Sequence, residues 1–188
     1  MTVLRIYVAP HPVLKKKAEP VQKVTPELRK LMDDMLETMY ATDGIGLAAP
    51  QVGQSVRILV LDIEQKRGDD IPPQERKGKP LFFVNPEIVW ASEDMRVYNE
   101  GCLSDPGQYA DVVRPDKVRI KYMDYDGKAQ EMEADTLLAT CLQHELDHLN
   151  GILFVDHLST IKKDMLMRKL KKYTKENLEE MAESHVLL

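Results

Sequence analysis

Gln143-His144-Glu145-Leu146-Asp147-His148-Leu149-Asn150-Gly151 carries the most specific residue spacing in this chain. On an α-helix, residues four apart project from one face, so His144 and His148 present their imidazoles side by side. Two imidazoles placed in this way can meet one divalent cation, with Glu145 beside a coordination position left open. The bland alternative is a helix with two unrelated histidines. The helix has readable bounds, with Asp135 as a possible N-cap, Asn150 near its end and Gly151 as its C-terminal stop.

A catalytic ion needs a third protein ligand. A third histidine after a glycine would fall on Phe154, which cannot bind metal. A glutamate about twenty residues downstream is absent, because Met165, Leu166, Met167 and Arg168 occupy that region. Asp164 and His157 fit no known spacing and read as surface residues. Cys102, within Glu100-Gly101-Cys102-Leu103-Ser104, is the better choice. A thiolate completes a Cys-His-His set, and the metal itself would deprotonate the thiol. Taken alone, such a cysteine is more often a buried hydrophobe. Cys141, one turn before His144, shares its face. Geometry leaves it open as a ligand, and we read it as a wall of the pocket.

Outward from the motif, the chain reads as an α+β fold. A short strand is expected over 3–8, followed by an opening that Pro10, Pro12 and Pro20 keep extended. Thr25 is an N-cap with Pro26 in the first helical position. Leu28, Leu31, Met32, Met35 and Met39 then recur at helical spacing as a core stripe, and Thr42-Asp43-Gly44 ends the helix. Val56 to Ile63 is rich in β-formers. Residues 64–80 are charged, contain three prolines and read as an exposed loop. Leu81 to Val84 and Ile88 to Trp90 read as two short strands interrupted by Asn85-Pro86. Val118, Ile120 and Tyr122 alternate, Asp126-Gly127 signals a hairpin turn, and a return strand is expected over 128–133. The apolar run Ile152 to Val155 precedes a final helix over about 159–183. The order lacks the βαβ alternation of a doubly wound sheet.

Composition sets the limits. The 188 residues are 43% hydrophobic and 30% charged, enough for the core of one domain spanning 1–188. A net charge of -5 argues against a general nucleic-acid binder such as a DNA-binding protein. No apolar run approaches the roughly 20 residues that span a bilayer. No signal-peptide pattern opens the chain, so a cytoplasmic location is expected. The two cysteines then read as core residue, ligand or nucleophile rather than as a disulfide.

Three ordered segments together resemble the peptide deformylase family: Gly44-Ile45-Gly46-Leu47-Ala48-Ala49-Pro50-Gln51, Glu100-Gly101-Cys102-Leu103-Ser104, and the helical motif from Gln143 to Gly151. The likeness runs from the Pro10 region to about Ser159. It implies a peptide-deformylase-like fold: short, mostly antiparallel sheets around a central helix carrying His-Glu-x-x-His, with a C-terminal helix. It implies that Cys102, His144 and His148 bind the metal and that Glu145 is the acid/base. Gln51 and the Leu103 N–H would stabilise the oxyanion. Ile45, Gly46 and Gly101 would hold the substrate, and Glu100 with Arg114 would support the metal loop. Three positions depart from the family pattern. Asp105 stands where an apolar residue is common, near the expected cleft. Tyr109 replaces a residue that is basic in several relatives, and His11 an acidic one.

The reaction so implied is hydrolysis of the N-formyl group from formyl-methionyl termini of newly made proteins, releasing formate. Helical spacing puts Leu137, Thr140 and Cys141 on the face leading to His144, where they line a slot for methionine or are ordinary core. Ligand chemistry alone reads as zinc. The resemblance implies one divalent ion, ferrous iron in the cell, with zinc or nickel in purified protein. Lys162, Lys163, Arg168, Lys169, Lys171, Lys172 and Lys175 mark the last helix as a solvated face or, as in some relatives, a ribosome contact. Glu176, Glu179, Glu180 and Glu183 make its tip acidic. Two rival readings are a zinc endopeptidase with another third ligand, and a non-catalytic binder of deformylase descent.

Overall fold

The computed structural model describes residues 2–66, 68, 71–183 and 186–187. Its centre is a five-stranded antiparallel sheet in the order β2-β3-β4-β7-β8, formed by β2 (Gly46–Ala48), β3 (Ile58–Leu61), β4 (Leu81–Ala91), β7 (Lys117–Met123) and β8 (Ala129–Asp135). Helix α1 (Pro26–Ala41) packs against one face and α2 (Thr136–Leu149) against the other. Strand β3 is therefore apolar on both sides: Ile58 and Val60 meet α1, while Leu59 and Leu61 meet α2. This explains a continuous apolar run where a half-exposed strand would alternate. The methionine stripe is core, with Met32, Met35 and Met39 fully buried. Thr25 Oγ1 accepts from the Leu28 N–H at 3.4 Å, as its N-cap assignment requires.

Several boundaries differ from the sequence reading. Only Ile6–Tyr7 forms the first strand, β1, paired in parallel with β9 (Val186–Leu187). Strand β4 runs through Asn85-Pro86 instead of breaking there, because a register shift between Val84 and Glu87 absorbs the proline. Asn85, at φ 50°, spans to Val21 with its amide, accepting from N at 2.8 Å and donating to O at 2.7 Å. The charged loop is not wholly exposed: the buried Arg76 donates to the Tyr40 carbonyl and to Asp43 Oδ1, both at 3.0 Å. Arg67, Asp69 and Asp70 of that loop lie outside the described residues. The apolar run 152–155 leads into a 3₁₀ turn, Phe154–His157. The final helix is two, α3 (Thr160–Glu176) and α4 (Leu178–Glu183), divided at Asn177.

The sequence reading assigns no strands between 92 and 117, yet β5 (Met95–Cys102) and β6 (Asp105–Pro115) form a long two-stranded ribbon there. Its pattern is inverted. Glu100 and Arg114 face inward and are buried, while Met95, Val97 and Val113 are 55–60% exposed. A ribbon with its charges inside defeats the apolar-in, polar-out rule that finds strands. The ribbon rests on a third apolar cluster that includes Val112, Phe154, Leu166 and Leu170. His11, the departure between two prolines, caps the 3₁₀ turn Pro12–Lys15 by accepting from Val13 N. No helix among the described residues is long and apolar enough to cross a membrane.

Candidate metal centre and substrate cleft

Three elements meet at one point. Helix α2 carries His144, Glu145 and His148, all buried. Two residues past its end stands Gly151, whose φ of 73° turns the chain away; a Cβ there would lie 2.5 Å from the Lys15 carbonyl oxygen. The end of β5 brings Cys102, and the turn Ala49–Val52 after β2 brings Gln51. Cys102 Sγ lies 3.2 Å from His148 Nε2. One ligand atom from each of Cys102, His144 and His148 lies within 4.8 Å of the others. Some forty residues of chain separate the sulfur from the imidazoles, so only the fold assembles the group.

The outer contacts of this trio are specific. Glu100 Oε2 lies 2.8 Å from His144 Nδ1. Burial would raise the Glu100 carboxyl, but His144 and Arg114 outweigh it and hold it at about 2. Glu100 is therefore a carboxylate, His144 Nδ1–H donates to it, and His144 Nε2 is left for an ion. Arg114 grips Glu100 with two hydrogen bonds, of 2.6 and 3.0 Å, and donates to Asp147 Oδ2 at 2.8 Å. The pair is buried rather than a surface contact. Asp147 in turn meets His157 Nε2 at 2.7 Å. That places His157 outside the trio, as expected, and Asp164 is exposed on α3. Phe154 stacks on the His144 ring with centroids 6.2 Å apart.

Burial pushes Glu145 up to about 7 and His148 well below its ordinary value, so His148 is neutral, as a ligand must be. Glu145 Oε2 has no hydrogen-bond partner. Gly46 leaves room for that carboxylate: a Cβ there would stand 2.5 Å from Glu145 Oε1. The Gln51 amide is fixed at both ends. Its Oε1 accepts from Ala48 N at 2.8 Å, and its Nε2 faces Ser104 Oγ at 3.1 Å and Cys102 Sγ at 3.5 Å. Ser104, fully buried, is a contact the sequence reading missed. Its place at the end of the second of the three ordered segments was the available signal.

A cleft of about 510 Å³ opens over this floor. Ile45, Gly46, Gln51, Gly101, Cys102 and Leu103 line it, as do Leu137, Thr140, Cys141, His144 and Glu145. It runs between the edge strand β2 and the ribbon strand β5. Unpaired strand edges of this kind accept an extended peptide as an added strand. Asp105, expected near the cleft, is buried at the start of β6 directly opposite Cys102 and does not itself line it. Tyr109 does line it, 65% exposed, with its ring lying over Gly101.

The polypeptide deformylase family profile matches residues 3–164. The peptide deformylase of Mesorhizobium japonicum is 51% identical over 94% of this chain and 96% of its own length. That of Phenylobacterium zucineum is 49% identical over 93% of this chain and 99% of its own. Among solved structures, a peptide deformylase from Legionella pneumophila superposes with a TM-score of 0.85 at 43% identity, covering 95% of this chain and 99% of that one. The Ehrlichia chaffeensis peptide deformylase in complex with actinonin gives 0.83 at 44% identity, over 92% and 98%. The fold, the trio on its helix and ribbon, and relatives matched over nearly their whole length agree: the chain belongs to the polypeptide deformylase family.

Proposed function

We propose that this cleft hydrolyses the N-formyl amide of formyl-methionyl peptides, with a divalent ion held by Cys102, His144 and His148. The observation that carries the reading is the convergence of one sulfur and two imidazoles beside a buried glutamate on the floor of a peptide-sized cleft. One thiolate and two imidazoles suit a first-row divalent metal with a position to spare. Bound there, the ion supplies Lewis acidity to water and to the formyl carbonyl. Among the possible ions we favour ferrous iron in the cell, on the family resemblance.

The residues of the chain do the rest. Glu145 takes a proton from the attacking water and returns one to the leaving amine. The Gln51 amide, pinned by Ala48, and the Leu103 N–H face the developing oxyanion. Ile45, Gly46 and Gly101 hold the peptide backbone between β2 and β5, and Leu137, Thr140 and Cys141 receive the methionine side chain. Selection for formyl is steric: a site fitted to a one-carbon acyl group excludes acetyl. Formate and a free N-terminus leave.

The test is anaerobic purification, metal analysis, and formate release from a formyl-Met peptide beside its acetyl counterpart. Turnover of the formyl peptide alone is expected, and turnover of neither ends the reading. Cys102→Ala separates it from an endopeptidase with a different third ligand, because the metal should be lost.

A ribosome contact through α3 is supported by its faces. Leu166 and Leu170 are buried, whereas Lys162, Arg168, Lys169, Lys171, Lys172 and Lys175 are exposed. Such a surface suits rRNA phosphates. Reversing Lys169 and Lys172 to Glu should weaken ribosome co-sedimentation. Salt-insensitive binding, unchanged by the reversal, would remove the idea.

A further inference from the structure

The β5–β6 turn buries a carboxylate that the reaction does not use. Asp105 is 1% exposed, and neither of its oxygens has a hydrogen-bond partner. Leaving such a group unsatisfied costs on the order of 1–3 kcal/mol or more, and an apolar side chain would fill the position without that cost. A compensating interaction is therefore to be sought nearby.

Its position supplies one. Asp105 pairs directly across the ribbon from Cys102. Residues directly opposed on an antiparallel pair share a face, and on that face Cys102 Sγ meets His148. The Asp105 charge attracts that of a protonated His144 and opposes ionisation of the Cys102 thiol, so a cation between them, not the thiol itself, is what it favours. The other charges that reach it are Lys15 and Asp156, which are themselves paired. Asp105 is not one of the trio and does not line the cleft.

We propose that Asp105 is an outer carboxylate of the metal centre, whose buried negative charge strengthens the hold of Cys102, His144 and His148 on a divalent cation. The proposal rests on the reading of that trio as the metal site. One thiolate and two neutral imidazoles leave a dication with net positive charge in a poorly polarisable surround, where a nearby carboxylate attracts it far more than in water. The same carboxylate is a pure cost to the chain when no cation is held. Substitution must then act in opposite directions on the two states.

Asp105→Asn and Asp105→Val test this in the full chain. Zinc affinity is read by competition with a chromogenic chelator, and stability by thermal unfolding of chelator-stripped protein. Both variants are expected to raise the zinc Kd by about 10- to 100-fold, through loss of a negative charge near a dication in a low-dielectric surround. Asp105→Val, which removes an unsatisfied group, is expected to fold and to raise the Tm of the stripped protein. A merely structural residue would move affinity and stability together. A zinc Kd unchanged in both variants, while Cys102→Ser abolishes binding, would overturn the role of Asp105 alone. An unchanged Kd in Cys102→Ser would remove the trio reading and this proposal with it.

Discussion

His144 Nδ1 donates to Glu100 Oε2 across 2.8 Å, so a residue of the ribbon sets the orientation of an imidazole on α2. Arg114 holds Glu100 in turn and reaches on to Asp147, which links the helix back to the ribbon. Removing Glu100 altogether should strip Arg114 of its main buried partner. Glu100→Ala is expected to cost about 3–5 kcal/mol, at the low end because Asp147 still pairs with Arg114. Glu100→Gln should keep the fold and weaken metal binding by about 10- to 100-fold. Urea midpoints and metal titration report the two effects, and a Glu100→Ala midpoint equal to the parent's would contradict the first.

Glu145 is buried with one oxygen unpartnered. A neutral amide of the same shape should be tolerated there without loss of stability. Glu145→Gln is expected to keep its metal and lose roughly 10²- to 10⁴-fold in turnover of a formyl peptide. Metal analysis beside steady-state kinetics checks this, and undiminished turnover would take Glu145 out of the reaction.

Gly46 is required by contact, not by backbone angle. A methyl there would press on Glu145 Oε1 at 2.5 Å and on Leu61 Cδ2 at 2.7 Å. Gly46→Ala is expected to destabilise by about 1–3 kcal/mol through overpacking, and to lower kcat because the glutamate must move. An active, fully stable Gly46→Ala enzyme would show that the glutamate has more room than this packing gives it.

Asp156 ties three segments together, accepting from Lys15, from Lys163 at 2.5 Å and from the Leu153 N–H at 2.8 Å. Burial would raise its carboxyl, but these donors outweigh it and hold it at about 2, against an ordinary 3.8. A carboxyl depressed on folding contributes stability in full above its unfolded value and loses it as pH falls through the folded one. The window is therefore about pH 4 down to about pH 2. Asp156→Asn should lower the unfolding free energy by roughly 1–2 kcal/mol at neutral pH, with the gap closing across that window. A gap constant from pH 7 to pH 2 would count against the assignment.

Local and periodic features were legible in the chain before any folding was known. The four-residue spacing of His144 and His148 on a bounded helix, the methionine stripe of α1 and the Asp126-Gly127 turn all follow from short-range rules, and the three ordered motifs brought the family into view. Tertiary structure alone decided what depends on distant chain segments meeting. It joined Cys102 to the two histidines, buried Glu100 and Arg114 as a bidentate pair, and buried Asp105 opposite Cys102. The ribbon that carries these residues hid from the pattern because its charges face inward, and only their partners on α2 make that arrangement stable. Periodicity reports which face of an element is apolar; it cannot report that a buried charge has found its counter-charge.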